Sequence, residues 1–147
     1  MSVSYTHLDV YKRQPQYEAT LSYDGGEAQN GTFEELLAAI PANAANAVIT
    51  LHKDVVIADG SDQIEIKSSV KVTSDAATGV TVTQGKCIKI PGGAAITLDG
   101  NITFKGTSSA TSGYGRKHMF AITGANGKFI ANSGVCLLYT SVCRRRW

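Results

Sequence analysis

From Val48 onward the sequence alternates apolar and polar residues with a period of two, in short runs broken by turn residues. Successive side chains of a strand point to opposite faces, so this pattern reads as a chain of strands with one buried face. The predicted strands are Val48–Leu51, Val55–Ala58, Ile64–Lys67, Val70–Ser74, Val80–Gln84, Cys87–Ile90, Ala95–Leu98, Ile102–Lys105, Met119–Thr123 and Lys128–Ala131. They are rich in β-branched residues and bounded by Gly, Asn and Asp. The loops between them run mostly two to six residues, with one exception at Gly106–His118. A sandwich would show longer strands and two-residue hairpin turns. Short strands joined by tight bends instead suit a coil of strands.

An internal repeat supports the coil. Ile49-Thr-Leu-His-Lys-Asp-Val-Val-Ile57 matches Ile96-Thr-Leu-Asp-Gly-Asn-Ile-Thr-Phe104, with Val70-Lys-Val-Thr73 between them. The spacing implies two coils of roughly 20 to 26 residues, a repeat length expected of solenoids. A single rung cannot bury its own apolar face, so rungs stack and their inward Val, Ile and Leu form one column.

Before this region lies the single predicted helix. Thr32 is a good N-cap and Glu35 follows three positions on, the capping-box spacing. Phe33, Leu36, Leu37 and Ile40 form one apolar stripe, and Pro41 stops the helix. Such a helix can cover the apolar cross-section that a coil of strands exposes at its end. Upstream, Gln16–Gly31 is a polar lead-in with one candidate strand at Ala19–Tyr23, closed by the turn signal Asp24-Gly25-Gly26.

Thr32-Phe-Glu-Glu-Leu-Leu37, Ile49–Ile57, Leu98-Asp-Gly-Asn101 and Gly127–Gly134 together resemble pectate-lyase-like right-handed parallel β-helix regions of surface proteins from gut Firmicutes and related bacteria. The resemblance covers most of Thr32–Gly134. It implies an all-β right-handed solenoid with an N-terminal capping α-helix, at the cell surface or outside the cell. The expected function, since no cluster of acidic, basic or nucleophilic residues matches a catalytic constellation, is a non-catalytic adhesin-like or carbohydrate-facing module. The alternative is a truncated polysaccharide lyase or glycoside hydrolase whose catalytic rungs lie further on. Fold alone does not decide between them.

The two ends read differently. One choice of codons for Val3–Gln14 gives a DNA string that, short of its final AG, is its own reverse complement. Codons for Cys136–Ser141 contain half of that string in another frame. Two segments that share one DNA word in different frames were not selected as protein, and the word resembles a transposase sequencing adapter. The expected division is therefore residues 1–14 adapter-derived, 15–31 lead-in, 32–47 helix and loop, 48–135 rungs, and 136–147 adapter-derived. The adapter-derived ends are expected to lie outside the stack, apart from apolar residues that adhere to its open edge. Setting them aside changes the electrostatics. Removing the +1 of Asp9, Lys12 and Arg13 and the +3 of Arg144, Arg145 and Arg146 from the net +2 leaves −2. A nucleic-acid partner inferred from the basic balance would rest on the ends alone, so none is expected.

The remaining chemistry is sparse. Cys87 alternates with apolar partners and reads as a buried thiol. Polysaccharide lyases of this fold pair calcium-binding acids with a basic residue that takes a sugar proton. The acids include Asp54, Asp59, Asp62, Asp75 and Asp99. Asp59 and Asp62 bracket one loop and are the candidates to share a calcium ion, although a calcium site wants more converging oxygens than they supply. No cofactor is otherwise expected. His52 and His118 have no metal-ligand spacing, and His52 reads as a solvent-facing residue at a strand end. No catalytic residue is assigned. The segment Thr107–His118 interrupts the rungs, and long excursions from a solenoid often carry binding. Within it Tyr114 can stack on a sugar ring while Arg116 and Lys117 meet acidic carbohydrate. The expected partner is a polysaccharide or host glycan, and no apolar run is long enough to span a membrane.

Overall fold

The computed structural model describes residues 17–58, 63–106, 120–138 and 142–144. Among them are fourteen strands and one helix, arranged as three mostly parallel sheets. The N-terminal part holds β1 (Ala19–Ser22), β2 (Gln29–Gly31) and α1 (Phe33–Ala39). The strands that follow are β3 (Ala47–Leu51), β4 (Val55–Ile57), β5 (Gln63–Glu65), β6 (Val70–Ser74), β7 (Val80–Gln84), β8 (Cys87–Ile90), β9 (Ala95–Leu98), β10 (Ile102–Gly106), β11 (Phe120–Ile122), β12 (Lys128–Ala131), β13 (Val135–Leu138) and β14 (Val142–Arg144).

From β3 the chain visits the sheets in fixed rotation. Sheet A has the order β12-β9-β6-β3-β1-β2, sheet B β13-β10-β7-β4, and sheet C β14-β11-β8-β5. Each strand therefore pairs with the strand three places on, and sequence neighbours turn corners, as the short runs and bends predict. Ala47–Leu51 ladders in parallel with Val70–Ser74, and Val70–Val72 with Ile96–Leu98. Alternation fills the interior: Ile49, Leu51, Val72, Val82, Ile88, Ile96, Leu98 and Ile102 are fully buried. Each such side chain contributes roughly 1.5–3 kcal/mol over its exposed state. Phe33, Phe104, Phe120 and Phe129 form a run of rings through the stack, with centroids 6.2, 5.7 and 4.5 Å apart.

The repeat does not stack as its sequence identity suggests. Ile49 pairs with Val72 and Val72 with Leu98, so Ile49 lines up with Leu98 rather than Ile96. A slip of two residues keeps every side chain on its own face, so the apolar pattern cannot distinguish the two registers. Contacts at the strand starts favour the observed one; Ala95 N, for example, donates to Ser69 Oγ at 3.0 Å.

Helix α1 forms as its cap predicts. Thr32 Oγ1 accepts from Glu35 N, and Glu35 Oε1 accepts from Thr32 N, each at 3.1 Å. Phe33, Leu36, Leu37 and Ile40 are buried, covering the end of the stack. The lead-in does more than its polarity suggests. Strand β1 pairs antiparallel with both β2 and β3, closing the edge of sheet A that the helix leaves open. Glu18 ties the two covers together: its Oε1 accepts from Phe33 N and its carbonyl from His52 N.

The far end corrects one expectation. Residues 136–138 continue β13 against β10, with Leu137 opposite Phe104, and 142–144 form β14 against β11. An unpaired strand edge offers free N–H and C=O groups to whatever segment follows, and Val135 and Leu137 supply the apolar alternation. Residues 2–14, the other adapter-like stretch, fall outside the described residues.

Candidate functional site

The residues singled out from sequence, Tyr114, Arg116 and Lys117 for glycan and Asp59 and Asp62 for calcium, lie outside the described residues, as does His118. Among the described residues, no group of three or more His, Cys, Asp or Glu could hold a metal ion. No helix among them is long and apolar enough to cross a membrane. Cys87 is buried, as its alternation implies.

The chemistry that the fold does assemble lies on the outward face of sheet A. Strand registry places Thr20 opposite Thr50 and Asn30, and Thr50 opposite Thr73. Because outward positions recur at every second residue, Val48 and His52 flank Thr50, while Lys71 and Asp75 flank Thr73. Lys71 in turn pairs with Thr97. Strands in a sheet stand about 4.8 Å apart, so these hydroxyls form a column at that repeat.

Two polar clusters brace the column. Lys71 Nζ stands 3.3 Å from Asp99 Oδ2, and Asn132 Nδ2 donates to Asp99 Oδ1 at 3.3 Å. The Lys71 ammonium and, after it, the Asn132 amide hold the Asp99 carboxyl below its ordinary range. Both partners of this ion pair are well exposed, which makes it a weak contributor to stability. The second cluster corrects the reading of His52. This residue is half-buried, its side chain 11% exposed, with Nε2 2.8 Å from Thr20 Oγ1 and Nδ1 2.9 Å from Asp75 Oδ2. Positions 20, 52 and 75 carry no shared motif; only strand pairing brings them together. Thr20 Oγ1 is also 2.7 Å from Asn30 Oδ1.

A hydroxyl has one proton to give, so Thr20 cannot donate to both neighbours. If it donates to Asn30, His52 must carry protons on both nitrogens, since Nδ1 faces a carboxylate. If it donates to a neutral His52, the Asn30 amide turns its NH2 toward the Thr20 oxygen. The cluster is complete in either arrangement.

Alongside the column lies an open groove of about 230 Å3, walled by Asn46, Ser69, Lys71 and Thr97 over a floor that includes Ala47 and Ala95. Asn46 sits at φ +55°, a left-handed conformation that Asn tolerates better than most residues, and its amide donates to Asp24 Oδ2 at 2.7 Å. A second open groove, of about 470 Å3, separates α1 from sheet C, and the 2.6 Å Lys86–Glu34 ion pair forms part of its wall. The remaining candidate acid, Asp54, is committed to structure: its Oδ1 accepts from Thr81 N at 2.9 Å.

No protein-family model, curated protein or solved structure matches this chain.

Proposed function

We propose that the chain is a stretch of right-handed parallel β-helix from a bacterial surface protein, and that it binds polysaccharide without cutting the glycosidic backbone. The fixed rotation through three sheets supports the fold, and parallel crossovers in one sheet are right-handed in about 98% of cases. The resemblance of Thr32–Gly134 to surface β-helix regions supports the location. The observation that carries the function is the polar face of sheet A. A column of threonines repeats at about the advance of one sugar in an extended glycan, beside a shallow groove lined by amide, hydroxyl and ammonium groups. Open and shallow, with polar groups along its walls, this surface suits a chain-like ligand better than a small molecule, which prefers an enclosed pocket.

The test is a polysaccharide panel, with and without calcium, against the full chain and two variants. Lys71→Ala with Thr97→Val removes two of the groove's four polar wall residues; Tyr114→Ala with Arg116→Ala and Lys117→Ala removes the loop candidates. Binding lost in the first variant supports the sheet-A face. Binding lost only in the second moves the site to the loop. Calcium-dependent release of unsaturated sugars would overturn the reading in favour of a lyase.

A further inference from the structure

We infer that Thr20, His52, Asp75 and Asn30 form a site that transfers acyl groups from small esters to water, an activity separate from glycan binding. A hydroxyl, an imidazole and a carboxylate stand in line at 2.8 and 2.9 Å, each within hydrogen-bond reach of the next. That is the geometry by which an activated nucleophile is recognised whatever the chain order of its members. Asp75 holds the proton on Nδ1, and Nε2 of the neutral ring accepts from Thr20 once that hydroxyl turns from Asn30 Oδ1 toward it. Asn30 Oδ1 faces Thr20 Oγ1 at 2.7 Å in this structure; with the side-chain amide turned over, its NH2 stands beside the nucleophile, where a donor for a developing oxyanion is needed.

The reaction balances without a cofactor. Thr20 Oγ1 attacks the ester carbonyl carbon while its proton passes to His52 Nε2, and the carbonyl electron pair moves onto oxygen toward Asn30. Collapse reforms the carbonyl and breaks the bond to the alkoxide, which takes the proton from His52. Water then attacks the acyl-threonine by the same route, releasing the carboxylic acid and restoring Thr20. Asp75 acts as a positioning residue. Its carboxylate is 56% exposed, so water competes for it and the site should be a modest catalyst.

The experiment uses the full chain with p-nitrophenyl acetate and, separately, a fluorophosphonate probe that phosphonylates activated hydroxyls with loss of fluoride. Mass spectrometry should place the adduct on Thr20. Hydrolysis should fall about a hundredfold in Thr20→Val and in His52→Gln, the low end for loss of a general base. It should persist in Thr20→Ser, fall in Asp75→Asn, and be partly restored in Asp75→Glu. No adduct, an adduct elsewhere, or a wild-type rate in Thr20→Val would overturn the inference. Should Thr20→Val fail to fold, the adduct site on the wild-type chain and the rate of Thr20→Ser decide the matter. Glycan binding is read separately, so either proposal can fail without the other.

Discussion

Gly92 and Gly124 meet backbone to backbone at a corner between successive rungs: a β-carbon on Gly124 would stand 2.3 Å from the Gly92 nitrogen and 2.5 Å from its α-carbon. Backbone atoms cannot swing aside as a side chain would. Gly124→Ala should therefore cost about 1–3 kcal/mol, the range for overpacking. Gly93→Ala is the control. Gly93 has open space around it and only a positive φ of 78° to strain, so its substitution should cost about 1–2 kcal/mol at most. Urea denaturation of both variants checks the order.

The ring column predicts a gradient of sensitivity. Phe104 is fully buried between Phe33 and Phe120, whereas Phe129 is only partly covered. Phe104→Ala should lose about 3–5 kcal/mol, and Phe129→Ala clearly less. Equal losses in the same denaturant series would contradict the packing described.

Acid should loosen the helix cap. The backbone N–H of Thr32, and after it the Thr32 hydroxyl, hold the Glu35 carboxyl below its ordinary range. A depressed carboxyl stabilises the fold fully above its unfolded value, and that contribution is lost as pH falls through the folded value. Asp99 follows the same sign through Lys71 and Asn132. Thermal melts across the acid range should thus show a decline that Glu35→Gln flattens in part.

Leu137 pairs with Phe104 from the last strand of sheet B, half-buried on a single neighbour. Leu137→Asp should raise amide exchange throughout β13 while leaving β7 unchanged. Faster exchange in β7 would mean that the terminal strand supports the whole stack.

Much of the fold was legible because period-two alternation needs only the identity of inward residues. Val70–Ser74, Val80–Gln84, Cys87–Ile90, Ala95–Leu98 and Lys128–Ala131 form as read, and the Thr32–Glu35 box starts the helix where it should. The register of Ile49 against Leu98 was not legible, since alternation is blind to shifts of two. Nor was the antiparallel attachment of Ala19–Ser22, whose polar surroundings concealed buried Ala19 and Leu21. The His52 cluster was invisible for a further reason. Its members come from β1 and from the residues just past the ends of β3 and β6, and their contact depends on that attachment and on the register together.

One corner of the winding keeps no count of residues. Ile64 and Ile88 pair 24 positions apart, yet Ile88 and Phe120 pair 32 apart, with the additional chain falling between β10 and β11. The ladder on either side stays in parallel register. Doubling a flexible loop adds only about 0.6 kcal/mol of closure entropy. A change in the length of this connection therefore costs the scaffold little. A peptide epitope grafted there would inherit the same tolerance.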